Sequence, residues 1–213
     1  MPAITLVRIY RAAFGLLGLS SLVIELATLH ERHRLHLGNF LSYFTVEANL
    51  FAGFVLLLSG FALTAAGEPA WLAFLRGAAT LYLAITGLVF SLLLAGLEGV
   101  EFTAVPWDNL VLHYVMPAVI VGDWLIAPTR RRIAFRSGLS WLAFPLAYVV
   151  YSLIRGHSTH WYPYPFLDPG PRGYTGVIQS SIGIALTAAV LVWIVTLLTG
   201  SGSLLARARS LAA

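Results

Sequence analysis

Long apolar runs separated by short polar stretches dominate the hydrophobic pattern of the chain. They predict six helical spans, at about residues 4–29, 40–66, 77–97, 109–127, 139–154 and 176–199. Most runs approach the ~20 residues that a helix needs to cross ~30 Å of hydrocarbon. The fifth run is short, so we expect it to extend into its flanks. The pattern predicts an all-α polytopic membrane bundle of six transmembrane helices, with residues 1–213 forming a single domain.

Composition agrees with that class. Of the 213 residues, 59% are hydrophobic and 10% are charged, whereas soluble domains carry about 25% charged residues. Mean hydropathy is +0.83. The chain has no cysteine, which excludes disulfides, thiolate metal sites and a cysteine nucleophile. The first run is too long for a signal peptide and lacks a cleavage site, so we expect a retained helix.

The basic residues, all arginine, predict an orientation. With the N-terminus inside, four fall outside and nine fall inside, namely Arg8, Arg11, Arg76, Arg130, Arg131, Arg132, Arg136, Arg207 and Arg209. The positive-inside rule then favours both termini on the cytoplasmic side, N-in and C-in. The cluster "RRR" at 130–132 indicates a headgroup anchor and not a nucleic-acid site.

The segment "NFLSYFTVEANL" (39–50) carries a polar stripe at the start of the second span. Ser42, Thr45 and Asn49 are spaced i, i+3 and i+7, which places them on one face of a continuous helix. Glu47 lies away from that face. Polar residues within spans usually face the bundle interior. The stripe therefore predicts either hydrogen bonds between helices or a polar site.

The fourth span begins "WDNLVLHYVMP" and contains His113, the one histidine of six that falls inside a span. Asp108 and Asn109 precede it by about a turn. Pro117 removes a backbone hydrogen bond and allows a kink near His113. A lone membrane histidine is either a packing residue or a reactive one. It argues against a bis-histidine haem, and we expect no cofactor.

Two polar loops flank these spans. The loop "RGHSTHWYPYPFLDPGPRGY" combines prolines with aromatic residues, which indicates either an interfacial belt or a fixed lid over a cavity. Asp168 is its most interesting charge. The first loop carries His30, His33 and His36, but without further ligands it indicates a solvated segment, and we expect no metal site.

The predicted topology brings these features to the outer end of the bundle. A hydroxyl and an imidazole at similar depth suggest nucleophilic catalysis, since a hydroxyl needs a base within ~3 Å. The candidate catalytic residues are Ser42, Thr45 and His113. Candidate supporting residues are Asp108 to orient the imidazole, Asn49 or Tyr164 to donate to an oxyanion, and Asp168 in the loop. In the outer leaflet the natural electrophile is a lipid ester.

The segments "NFLSYFTVEANL", "LHYVMP" and "WYPYPFLDP" together resemble the bacterial six-span Pr6Pr family. That family is similar to the eukaryotic androgen-induced and androgen-dependent membrane proteins of the FAR-17a type. The likeness covers nearly the whole chain in span count and motif order, and "YPFLD" (164–168) is its most specific piece. It implies an intramembrane threonine hydrolase that cleaves fatty acid esters of hydroxy fatty acids, in a bacterial cytoplasmic membrane.

The resemblance leaves the nucleophile open. In the eukaryotic members the threonine follows a Phe-Leu pair, whereas here Phe40–Leu41 precede Ser42 and Thr45 lies one turn further on. Ser42 is implied by register and Thr45 by residue type, with His113 as the base. The alternative is a non-catalytic protein that binds lipid or a small molecule, or a transporter. Inner-half polar groups are expected to be sparse apart from Asp123, which weighs against transport.

Overall fold

The computed structural model describes residues 2–200 of the chain. Six apolar helical spans, joined by loops, lie within these residues. Their bounds are Ala3–Glu31, Phe44–Ala62, Ala70–Leu94, Pro106–Ile126, Phe135–Thr159 and Gly173–Leu197. The prediction of an all-α, six-span membrane bundle is confirmed. Arg207 and Arg209 lie outside the described residues, and the sidedness of the termini stays a prediction.

Several spans are interrupted helices. The elements in chain order are α1 (Pro2–Glu31), α2 (Leu37–Phe40), α3 (Phe44–Ala62), α4 (Ala70–Val89) with a π-helical turn (Phe90–Leu94), α5 (Pro106–Leu110) with a second π-helical turn (Val111–Val115), α6 (Met116–Ile126), α7 (Phe135–Gly138) with a 3₁₀ turn (Leu139–Leu142), α8 (Ala143–Thr159), a 3₁₀ turn (Pro165–Leu167), and α9 (Pro169–Leu197). The fifth span extends into both flanks, as expected.

Helices α3 and α4 form the centre of the bundle. In the second and third spans 61% of the most apolar window is buried, against 22% in the fifth and sixth. Helix α1 lies along α3, and α4 packs against α6 and α9. A Cβ atom added to Gly15 would lie 2.9 Å from the carbonyl oxygen of Gly53, so this close approach of α1 and α3 needs glycine.

The second span differs from the predicted continuous helix over 40–66. It breaks between α2 and α3, where Tyr43 adopts an extended conformation (φ −82°, ψ 124°). Thr45 and Asn49 lie on α3, whereas Ser42 lies in the break. The predicted single stripe of Ser42, Thr45 and Asn49 was therefore wrong. The extended residue Tyr43 changes the direction of the chain, so Ser42 does not share the helix face of Thr45 and Asn49.

The end of the bundle opposite this break contains a buried ion cluster of Arg11, Glu68, Arg76 and Asp123. Asp123 accepts from Arg11 Nε and Arg76 Nη1, both at 2.7 Å, and Glu68 accepts from Arg76 Nη2 at 2.6 Å. The four side chains are 1–4% exposed. The expectation that this half is poor in polar groups was wrong. Arg76 also lies within α4, which begins at Ala70 and not near residue 77.

Candidate functional site

Thr45 and His113 meet in the buried interior at the end of the bundle that holds the break. Thr45 Oγ1 lies 3.3 Å from His113 Nε2, and the two residues are 7% and 5% exposed. Thr45 is the second residue of α3, and His113 is the middle residue of the π-helical turn between α5 and α6. The structure therefore joins two of the three predicted catalytic residues.

The π-helical turn at Val111–Val115 gives His113 its position. Pro117 has no N–H to donate to the carbonyl of His113, four residues earlier, so the regular helical pattern is interrupted here. The π-helical turn directly precedes this proline, and such turns are often found at functional sites. The His113 ring stacks on Phe90, with ring centroids 3.9 Å apart and planes 21° from parallel. Phe90 begins the other π-helical turn.

The hydrogen bond on the far side of the imidazole fixes its tautomer. His113 Nδ1 lies 3.1 Å from the carbonyl oxygen of Asn109. A carbonyl only accepts, so Nδ1 carries the proton and, in the neutral ring, Nε2 holds a lone pair. The hydroxyl of Thr45 then donates to Nε2. This is the arrangement that a general base needs before it removes a hydroxyl proton.

Asp108 does not take the role predicted for it. Its Oδ1 accepts from Ser21 Oγ of α1 at 2.5 Å, and the residue is fully buried. The imidazole is oriented instead by the backbone carbonyl of Asn109. The prediction that a carboxylate holds His113 was therefore wrong, because side-chain identity in the sequence gives no sign of a backbone partner.

Tyr164 completes the contacts of Thr45. Its hydroxyl accepts from the Thr45 backbone N–H at 3.2 Å and lies 3.2 Å from Thr45 Oγ1. Since the Thr45 hydroxyl donates to His113, the Tyr164 proton is directed at Thr45 Oγ1 or at a bound group. Burial raises the pKa of Tyr164 to about 12, so this donor stays protonated at neutral pH.

Asn49 is fully buried and lies one turn after Thr45 on α3, where it bonds to the Thr45 backbone. Its Nδ2 donates to the carbonyl oxygens of Thr45 at 2.9 Å and Leu112 at 3.1 Å. Both amide hydrogens are thus engaged, so Asn49 is not placed to donate to an oxyanion. It ties the nucleophile candidate to the residue that precedes His113.

Ser42 is buried but bonded elsewhere. Its Oγ donates to the carbonyl oxygen of Gly38 at 2.6 Å and lies 2.8 Å from the hydroxyl of Tyr151 on α8. Its own carbonyl accepts from Tyr148, also on α8, at 2.8 Å. Ser42 therefore fastens the break to α8, and Thr45 is the hydroxyl that contacts His113.

The loop between α8 and α9 lies over the site. Trp161 and Tyr164 line the same cavity as His113. The ring of Tyr43 packs edge-on against Trp161, with centroids 5.6 Å apart. Asp168 serves the loop differently: its Oδ1 accepts from the Gly170 N–H at 2.8 Å and caps α9.

Two cavities border on Thr45 and Tyr164. The polar cavity, about 210 Å³, contains His113 and the charged side chains of Glu25, Arg34 and Glu101. The lipid-side cavity, about 310 Å³, is walled mainly by apolar residues of the π-helical turn at Phe90–Leu94, α8 and α9. Thr45 and Tyr164 are the described residues that line both cavities.

Sequence reasoning missed Glu25, which shapes the polar cavity. Its carboxylate accepts from the N–H groups of Ala104 at 2.6 Å and Val105 at 3.1 Å, and holds the loop before α5. An acidic residue within the first apolar run was the available signal. Sequence reasoning also missed Phe90, and a phenylalanine in an apolar span carries no such signal.

The first loop does not assemble a metal site. His30, His33 and His36 are exposed. Within residues 2–200, no group of three or more histidine or carboxylate side chains is placed to hold a metal ion.

Comparison with known proteins adds no relative: no family model, curated protein or solved structure matches the chain. The similarity to the Pr6Pr family, drawn from short motifs, stays a prediction.

Proposed function

We propose that the protein is an intramembrane hydrolase of lipid esters, with Thr45 as nucleophile and His113 as general base. The observation that carries this proposal is the 3.3 Å contact between Thr45 Oγ1 and a His113 Nε2 whose tautomer is already set by Asn109. Thr45 lines both a polar and an apolar cavity and His113 lines the polar one, so an amphipathic ester can reach the pair.

The reaction follows from this geometry. Thr45 Oγ forms a bond to the ester carbonyl carbon while His113 Nε2 takes the hydroxyl proton. The bond from that carbon to the alcohol oxygen breaks, and Nε2 returns the proton to the departing alcohol. Water then attacks the acyl carbon and gives a proton to Nε2. The bond to Thr45 Oγ breaks, Oγ recovers the proton, and the products are a carboxylic acid and an alcohol.

Tyr164 is the donor best placed for the negative charge that develops on the carbonyl oxygen. Its hydroxyl lies 3.2 Å from Thr45 Oγ1 and keeps its proton because burial raises its pKa to about 12. The Thr45 backbone N–H, in the first turn of α3, lies beside it and has no partner within the helix. One such donor typically contributes ~10²–10³ in kcat.

The membrane setting is part of the same proposal. The arginine distribution supports N-in and C-in termini, which places Thr45 and His113 in the outer half of the bundle. The motif similarity to the Pr6Pr family supports a bacterial cytoplasmic membrane. A lipid ester from the outer leaflet is then the accessible substrate.

The two cavities also suit a protein that binds a lipid or small molecule without cleaving it. That alternative needs the pocket but not the reactive couple. The structure gives less support to transport, because the interior of the opposite end is occupied by the charge-balanced ion cluster, with side chains at most 4% exposed.

The test is performed on purified protein in detergent micelles, with a fluorophosphonate probe and a fluorogenic ester. We expect labelling and hydrolysis in the wild type and in Ser42→Ala, and loss of both in Thr45→Val, which keeps the shape of the side chain. The matched control is Thr80→Val, because Thr80 is also buried, on α4, and bonds to the backbone of Arg76.

Two results would contradict the proposal. Labelling that persists in Thr45→Val would remove Thr45 as nucleophile. A wild-type protein that neither reacts with the probe nor cleaves any ester, yet retains lipid through purification, would favour the binding alternative.

A further inference from the structure

The two cavities differ in chemistry and share Thr45 and Tyr164 as lining residues. The polar cavity presents Glu25, Arg34, His36 and Glu101. The lipid-side cavity presents no acidic or basic side chain among its described lining residues. The two halves of an ester bound at Thr45, on either side of its carbonyl carbon, therefore lie in different environments, one polar and one apolar.

The lipid-side cavity lies beside side chains on the outer surface of the bundle. Leu146 and Val150 of α8 line it and are 56% and 57% exposed on the outside of the bundle. Span five, which includes α8, is among the least buried of the six. A hydrocarbon chain can thus enter from the membrane without crossing water.

His113 lies on the other side. It lines the polar cavity, while Phe90, which stacks on its ring, lines the lipid-side cavity. His113 Nε2 must return its proton to the departing alcohol oxygen. The alcohol half of the ester therefore leaves on the polar side, and the acyl half stays on the lipid side.

The hydration of the two halves of the ester favours the same orientation of the substrate. The polar cavity also has aromatic and aliphatic lining, but each methylene that lies against its charged side chains forgoes burial, which lowers affinity by a factor of about four. A hydroxyl-bearing alcohol in the lipid-side cavity would lose its hydrogen bonds to water. A substrate with a long chain on both sides of the ester thus fits poorly.

We infer that the substrate is an ester of one fatty acyl chain with a small polar alcohol, of the monoacylglycerol type. The acyl chain occupies the lipid-side cavity, and the alcohol occupies the polar cavity with its ester oxygen at His113. This inference rests on the proposed function. It differs from what the family resemblance implies, because esters of hydroxy fatty acids carry a long chain on both sides.

The first test compares substrates with a common acyl chain, presented in mixed micelles at equal surface concentration. We expect kcat/KM for 1-dodecanoylglycerol to exceed that for dodecyl dodecanoate, or for the dodecanoyl ester of 12-hydroxyoctadecanoic acid, by at least tenfold. Equal or faster cleavage of either two-chain ester would overturn the inference.

The second test narrows the lipid-side cavity. Ala185 of α9 lines this cavity and is exposed, so Ala185→Phe narrows the space from its outer edge without disturbing the centre of the bundle. We expect kcat/KM to fall at least tenfold for 1-dodecanoylglycerol and to stay within twofold for 1-butanoylglycerol. The matched control is Leu186→Phe, whose site is 65% exposed and lines neither cavity.

The outcomes separate the two proposals. A fall for both chain lengths, or for neither, would contradict the placement of the acyl chain. Hydrolysis that depends on Thr45 but prefers two-chain esters would overturn the substrate assignment alone. If neither class of ester is cleaved, the proposed function fails and the substrate assignment fails with it.

Discussion

Asp123→Asn changes the charge of the ion cluster while preserving its shape. Asp123 accepts from Arg11 Nε and Arg76 Nη1, each at 2.7 Å, and so joins α6 to α1 and α4. Asparagine has nearly the same volume, so the substitution leaves no cavity. The cluster of two arginines and two carboxylates goes from neutral to a net charge of plus one.

The expected loss of stability follows from burial. After the substitution, two guanidinium groups, each 1% exposed, share the single carboxylate of Glu68. Removing one partner of a buried ion pair typically costs ~3–5 kcal/mol, a large part of the ~5–15 kcal/mol that holds most proteins folded. At ~2–4 °C per kcal/mol for a chain of this size, Tm should fall by about 6–20 °C.

Thermal unfolding in one detergent, followed by tryptophan fluorescence, measures this loss. Trp124 is a suitable reporter, because Arg76 lies over its ring at 4.6 Å. The control is Glu101→Gln, which removes the partner of Arg34 in a pair that is 57% and 72% exposed. Such a pair contributes ~0–1 kcal/mol.

A double variant separates charge imbalance from lost contacts. Arg11→Met combined with Asp123→Asn leaves one arginine and one glutamate in the cluster, so its net charge returns to zero. We expect this variant to be more stable than the sum of the two single changes predicts. A Tm for Asp123→Asn within the range of the Glu101→Gln control would refute the reasoning.

Three further predictions concern the site. Tyr164→Phe should lower kcat for ester hydrolysis by ~10²–10³ with little change in KM, as steady-state kinetics will show; a loss no larger than in Thr80→Val would contradict the donor role. Burial raises the pKa of Tyr164 to about 12. Between pH 10 and 12 the unfolded chain therefore loses a proton that the folded protein keeps, and the free energy of unfolding should fall by up to ~1.4 kcal/mol per pH unit. Thermal unfolding of Tyr164→Phe should show a weaker dependence on pH in this range. Asn49→Leu removes the donors to Thr45 and Leu112 and should cost ~1–3 kcal/mol of stability and lower kcat, whereas an unchanged kcat would show that Asn49 does not position Thr45.

The six spans were predictable because the bilayer sets a length that a local pattern reveals. Apolar runs near 20 residues need no knowledge of what they pack against. The predicted start of the third span, residue 77, lies seven residues after the observed start at Ala70. The apolar pattern predicts that Arg76 precedes the span, since an isolated arginine is costly in a span. Its partners Asp123 and Glu68 lie on other elements, and a local pattern does not reveal such pairing.

The site was predictable in its members but not in its bonds. Thr45, His113 and Tyr164 were identified from polar positions at one end of the bundle, and the structure brings them together. The group that orients His113 is a backbone carbonyl. Every residue has one, so the sequence does not indicate which carbonyl is the partner. Asp108 was a reasonable candidate for that role by sequence distance alone, yet its partner is Ser21 on another span.

The break before α3 is where the apolar pattern and the structure diverge most, and it is also what creates the site. Had the second span been one helix from residue 40, Ser42 and Thr45 would share a face and Thr45 would lie beyond the first turn. The extended residue Tyr43 instead turns Ser42 toward α8 and leaves Thr45 in the first turn of α3. In that turn the Thr45 N–H has no partner within the helix and is free to bond Tyr164. One local departure from regular helix thus selects the hydroxyl that meets His113 and supplies an N–H beside it, and such departures are common where a protein has a functional site.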